Sequence, residues 1–166
     1  MKDVSNPEAA AAAGSRITPR LVESLYTEAM LLADEARTYF DTASRADRDA
    51  LDPFVRVGFA CESLKVTTRL MHIIAWLLTQ RAVETGELSA ASGRRPERRL
   101  GHAGASDPQV LDQLPAAARA LISSSTDLYE RVRRLDDEQL SDQPVPSPAR
   151  ALMGRLERDL IWNAPR

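Results

Sequence analysis

Residues 69–81 read RLMHIIAWLLTQR, and the reading of this run decides the fold. It is not a membrane span: only Leu70 to Gln80 lie between two arginines, whereas a spanning helix needs about 20 apolar residues. Set on a helical wheel at about 100° per residue with Leu70 at zero, Met71, Ile74, Ala75 and Leu78 fall between roughly 40° and 140°, and Leu77 and Ile73 near 340° and 300°. That arc of roughly 200° is about twice the apolar stripe of a surface helix. A helix so widely apolar needs two neighbours to cover it, which places it at the centre of a helical bundle.

The neighbours are legible on either side. Thr18 and Pro19 form a start signal, a hydroxyl to cap the first free N–H groups and a proline where its missing N–H costs nothing. Val22, Leu25, Ala29, Leu32, Ala36 and Tyr39 follow at three- and four-residue steps, which predicts a first helix over about 19–42 with one buried side. Asp52 and Pro53 repeat the signal and Gly86 offers a left-handed stop, so the central helix runs over about 53–85, roughly 50 Å. Residues 86–107, rich in Gly, Ser, Ala and Arg, read as a long mobile loop. A third helix over about 114–136 carries the seam Leu114, Ala118, Leu121, Ser125, Leu128, Val132 and Leu135. The acidic run from Asp136 and the SDQPVPSP segment should end it and form a stiff linker. A short amphipathic helix follows, capped by Ser147 and Pro148, with Leu152, Met153, Leu156 and Leu160 on one face and then Ile161 and Trp162. Residues 1–17, with five alanines between Glu8 and Gly14, read as a disordered tail and not as a signal peptide. No strand pattern occurs, so the fold class is all-α: a three-helix bundle with a long central helix, flexible termini and a short C-terminal helix.

Off the apolar arc of the central helix stand Thr79, His72, Trp76 and Gln80, and the same face continues back through Arg69, Lys65, Glu62 and Gly58. This reads as a solvated polar wedge, while Val57, Cys61, Leu64, Thr68 and Met71 read as part of the inner stripe. A tryptophan on the wedge needs cover. It comes either from the chain itself, through the 86–107 loop or the C-terminal helix, or from a homodimer or partner surface made of Glu62, Lys65, Arg69, His72 and Trp76.

Composition and motifs narrow the function. With 43% hydrophobic and 28% charged residues, a net charge of -2 and one cysteine, the chain is an ordinary globular, intracellular, cytoplasmic protein without a disulfide. It has no cationic excess for nucleic acid, and two Trp, three Tyr and three Phe are too few for a base-stacking platform. No P-loop, GxGxxG, HExxH or nucleophile elbow occurs. His72 and His102 cannot complete a three-histidine site, and neither follows a glutamate at the spacing of a di-iron bundle. No catalytic, cofactor or metal residue is assigned. Arg94, Arg95, Arg98 and Arg99 read first as a solvated loop, second as a dock for an acidic partner or nucleic acid. The better recognition element is the tail, with Leu152, Met153, Leu156, Leu160, Ile161 and Trp162 either docking on a partner or capping the bundle.

Two stretches carry a family resemblance. ESLKVTTRLMHIIAWLLTQRAVETGE (Glu62 to Glu87) resembles the signature helix of the RcdA-like proteins, the "regulator of CtrA degradation" family of alphaproteobacteria, and LPAAARALISSSTDLYERVRRLD (Leu114 to Asp136) resembles their third helix. With the first helix, the similarity covers most of residues 18–136. It implies a homodimer of three-helix bundles without catalytic activity, cytoplasmic and at a cell pole. It also implies an adaptor role in cell-cycle-regulated proteolysis, delivering transcription-factor cargo, or a second adaptor, to a ClpXP protease primed by the response regulator CpdR. A dimeric helical scaffold or signalling module with no part in degradation is the alternative.

Overall fold

The computed structural model describes residues 17–141, and all its regular elements are helical. Helix α1 (Pro19–Thr38) starts on Thr18, whose hydroxyl accepts from the Leu21 N–H at 3.2 Å. Its last turn loosens into a π-type turn, Tyr39–Ala43. The short α2 (Arg45–Asp49) then brings the chain to α3 (Pro53–Glu84), capped by the Asp52 carboxylate on the Phe54 N–H at 2.9 Å. Gly86, at φ 78°, makes the left-handed turn that ends this helix. The stretch after it is not an open loop. It holds the turns α4 (Ala90–Gly93) and Pro96–Arg98, runs extended over 99–107, and passes through α5 (Pro108–Leu111) into α6 (Ala116–Ser141).

Helices α1 and α6 both pack on α3, which is the central element. The core is continuous: Val22, Leu25, Ala29 and Ala36 of α1 meet Phe59, Val66, Leu70, Ile73 and Leu77 of α3, and Ala118, Leu121, Ile122, Leu128 and Val132 of α6. At one end Phe40 and Phe59 close the α1–α3 seam edge to face at 5.4 Å between centroids. Toward the other end, the Arg81 guanidinium lies over the Tyr26 ring at 4.9 Å.

Three expectations are corrected. The acidic run at Asp136 does not stop the last helix, because Asp136 turns inward and accepts hydrogen bonds there, leaving α6 to continue to Ser141. The stripe of Val57, Cys61, Leu64, Thr68 and Met71 does not face the core. Val57 is 63%, Leu64 67% and Met71 64% exposed, and Cys61 and Thr68 are exposed too. Conversely, the wedge of Glu62, Arg69, Trp76 and Gln80 is buried. The helix is turned, relative to the expectation, so that polar groups with internal partners go in and part of the wide apolar arc stays out.

The expected N-terminal tail, up to residue 16, and the linker and C-terminal helix with Leu152, Met153, Leu156, Leu160, Ile161 and Trp162 lie outside the described residues.

Candidate partner-docking surface

The five residues expected to form a dimer surface do share one side of α3, but the extended stretch 99–106 is laid across them. Glu62, 2% exposed, is held by two donors: the Lys65 ammonium at 2.7 Å and the Ser106 hydroxyl at 2.5 Å. Arg69, also 2% exposed, donates to the Ser106 hydroxyl at 2.8 Å, to the Gly104 carbonyl at 3.0 Å and to the Ser125 hydroxyl of α6 at 3.4 Å. Lys65 reaches the Ala105 carbonyl at 2.9 Å. A buried carboxylate and a buried guanidinium are tolerable only when paired and hydrogen-bonded. Here Ser106 joins the two, and the backbone carbonyls of the covering segment complete the donors' needs. Burial pulls the Arg69 guanidinium below its ordinary value, and the Glu62 charge opposes that shift.

A second anchor lies about two turns along. The Trp76 indole N–H donates to Asp136 at 2.8 Å, and the same carboxylate accepts from the Arg99 guanidinium at 3.0 Å and from the Leu100 N–H at 3.3 Å. One acid on α6 thus fixes the central helix and the covering segment together. Trp76 is 2% exposed, so its cover comes from within the chain. Between the anchors the Tyr129 hydroxyl donates to the Gly101 carbonyl at 2.9 Å. Gly101 crosses so close above His72 that a Cβ there would stand 2.7 Å from the ring atoms. Glycine is required by that approach. His72 is half-buried, and its Nδ1 is enclosed without a hydrogen-bond partner. No group of three or more His, Cys, Asp or Glu among the described residues could hold a metal ion. The face built of Glu62, Lys65, Arg69, His72 and Trp76 therefore seats the connection between α3 and α6.

The open patch is on the other side of α3. Phe54, Val57, Cys61, Leu64, Thr68, Met71, Ala75 and Leu78 recur at alternating three- and four-residue steps, and all are exposed. This is the spacing by which one helix packs along another. The stripe extends along α3 for roughly 36 Å, wider and more regular than the scattered apolar residues of an ordinary surface. On its α1 side it borders a groove of about 400 Å³ with a floor of Ala33, Ala36, Phe40, Leu70 and Ile74. Met30, 45% exposed, lies on α1, one turn before Ala33. Reading the stripe as core missed this surface. Its signal was present: α3 carries a second apolar seam, Phe59, Val66, Leu70, Ile73 and Leu77, sufficient for both neighbours by itself.

Among the described residues no helix is long and apolar enough to cross a membrane. A family model described as a protein of unknown function, DUF1465, matches residues 13–160. No curated protein matches the sequence. Among solved structures, the crystal structure of RcdA from Caulobacter crescentus is similar at 34% identity and a TM-score of 0.59, covering 72% of this chain and 90% of that one. At 34% identity over 72% of the chain, with a family model that matches residues 13–160, the chain belongs to this family and is RcdA-like.

Proposed function

We propose that the chain is a non-enzymatic adaptor of regulated proteolysis that acts as a homodimer, delivering transcription-factor cargo or a second adaptor to a CpdR-primed ClpXP protease. The observation that supports this is the outward apolar stripe of α3, from Phe54 to Leu78. On its polar counterpart, Glu62, Lys65, Arg69 and Trp76 are engaged in holding the fold. A surface of this kind recognises protein. Exposed apolar side chains with a 3-4 repeat and no charge within the repeat suit an apolar helix face, either a second copy of α3 or a segment of cargo. Family membership supports the adaptor role.

The test is a degradation assay with purified ClpXP, CpdR and a candidate cargo. Adding the protein should shorten cargo half-life, and Leu64→Asp with Met71→Asp should abolish that effect while leaving the helical signal intact. An unchanged half-life with the unmodified protein would overturn the adaptor reading. Loss of the dimer by light scattering in the double variant, with full delivery retained, would separate self-association from cargo docking.

A further inference from the structure

We infer that the groove between the covering segment and α6 docks a short extended peptide of a partner protein, one with an acidic, an apolar and a basic side chain at alternate positions. The inference goes beyond the adaptor reading and stands whether or not the chain acts with a protease.

The covering segment is an extended chain with no strand beside it. Trp76 and Glu62 are 14 residues apart on α3, roughly 21 Å along the axis. The segment joins the same two levels in the six steps from Leu100, bonded to Asp136 beside Trp76, to Ser106, bonded to Glu62. That takes nearly the full reach of a chain, roughly 3.3–3.6 Å per residue. The carbonyls of Gly101, Gly104 and Ala105 accept from Tyr129, Arg69 and Lys65. The N–H groups from Gly101 to Ser106 donate to no other group among the described residues, and the carbonyls of His102 and Ala103 accept from none. An extended backbone with a row of unpaired groups is a template to which another extended chain adds.

A groove of about 470 Å³ runs along this backbone, with α6 as its other wall. That wall extends from Arg119 to Glu130, roughly 16 Å, which holds about five residues of extended chain. A peptide lying there has free backbone groups on one side and a helix on the other, so the strand supplies main-chain bonds and the helix supplies side-chain selection.

The charges in the groove set that selection. Arg119 and Asp127 are both exposed, and neither forms an ion pair with another described residue. The other two charged groups of the lining are already engaged, Arg69 with Ser106 and Glu130 with Arg133. Between Arg119 and Asp127 the lining is apolar, with Ala103, Leu111 and Ile122. Arg119 and Asp127 are eight residues apart, roughly 12 Å along α6, and four steps of an extended peptide cover roughly 13 Å. Positions one, three and five of a strand point to the same side. An acid, an apolar residue and a base at those positions therefore reach Arg119, the apolar lining and Asp127 together.

Fluorescence anisotropy with the full chain tests this, using the labelled, end-capped pentapeptides Glu-Thr-Leu-Thr-Arg and Glu-Thr-Leu-Thr-Glu. The first should bind saturably and the second about fivefold more weakly, the worth of one surface ion pair exchanged for a like-charge contact. Asp127→Arg, at an exposed position, should reverse that order. Asp34→Arg, the same charge change on the exposed side of α1 outside the groove, should leave it as it was. With the first peptide bound, amide hydrogen exchange over residues 101–106 should slow. Absence of saturable binding overturns the inference, as does unchanged exchange over 101–106. Reversal by Asp34→Arg overturns it too, because the preference is then one of overall charge. So does loss of self-association in Asp127→Arg by light scattering, because the groove is then occupied by a second copy.

Discussion

The indole N–H of Trp76 and the carboxylate of Asp136, 60 positions apart, meet at 2.8 Å inside the protein. Asp136 also receives the Arg99 guanidinium and the Leu100 N–H, so three donors depend on one acid. Asp136→Ala leaves the buried indole N–H and a backbone N–H without an acceptor. We expect it to destabilise the fold by about 2–4 kcal/mol, read as a lower urea midpoint. Asp136→Asn, which keeps one acceptor oxygen, should cost less.

Glu62 and Arg69 stabilise each other through Ser106. Removing one partner strands the other charge in the interior. Arg69→Met should therefore cost about 3–5 kcal/mol. The pair Glu62→Gln with Arg69→Met should cost clearly less than the sum of the two single changes. Strict additivity in chemical denaturation would show that the two groups are not coupled.

Gly101 passes over the His72 ring with no room for a methyl group. Gly101→Ala should cost about 1–3 kcal/mol through overpacking, and His72→Ala should restore most of that loss in the double variant. A penalty that His72→Ala leaves unchanged would place the clash elsewhere.

The Tyr39 hydroxyl donates to Asp47 at 2.9 Å. Burial, and next this carboxylate, push the phenol up from 10.0 to about 12. Since the folded value lies above the unfolded one, the contribution is whole below pH 10.0 and is lost as pH climbs toward about 12. Tyr39→Phe should flatten the fall in stability across that window, measured as urea midpoints at successive pH values.

Leucines on the two apolar seams of α3 should behave oppositely. Leu77, with no exposed surface, should cost about 2–5 kcal/mol on truncation to Ala. Leu64, 67% exposed, should stay within about 0.5 kcal/mol in dilute solution, with its effect confined to association.

Some of this was written plainly in the chain. Thr18 with Pro19 and Asp52 with Pro53 mark helix starts because capping is local chemistry, settled by residues within a turn of each other. The seam of α1 and that of α6 were legible because each helix has a single narrow apolar face, and a single face can point only one way. Helix α3 has an apolar arc too wide for its two neighbours, and local pattern cannot say which part of it they take. That choice depends on residues 35 to 60 positions away: Ser106, Gly104 and Ala105 arriving to satisfy Arg69, Glu62 and Lys65, and Asp136 to receive Trp76. The sequence by itself determined an all-α chain with a long central helix. Only the tertiary structure decided that its charged side turns inward, because partners from the connection and from α6 remove the cost of burying it, and that the stripe from Phe54 to Leu78 is left facing out.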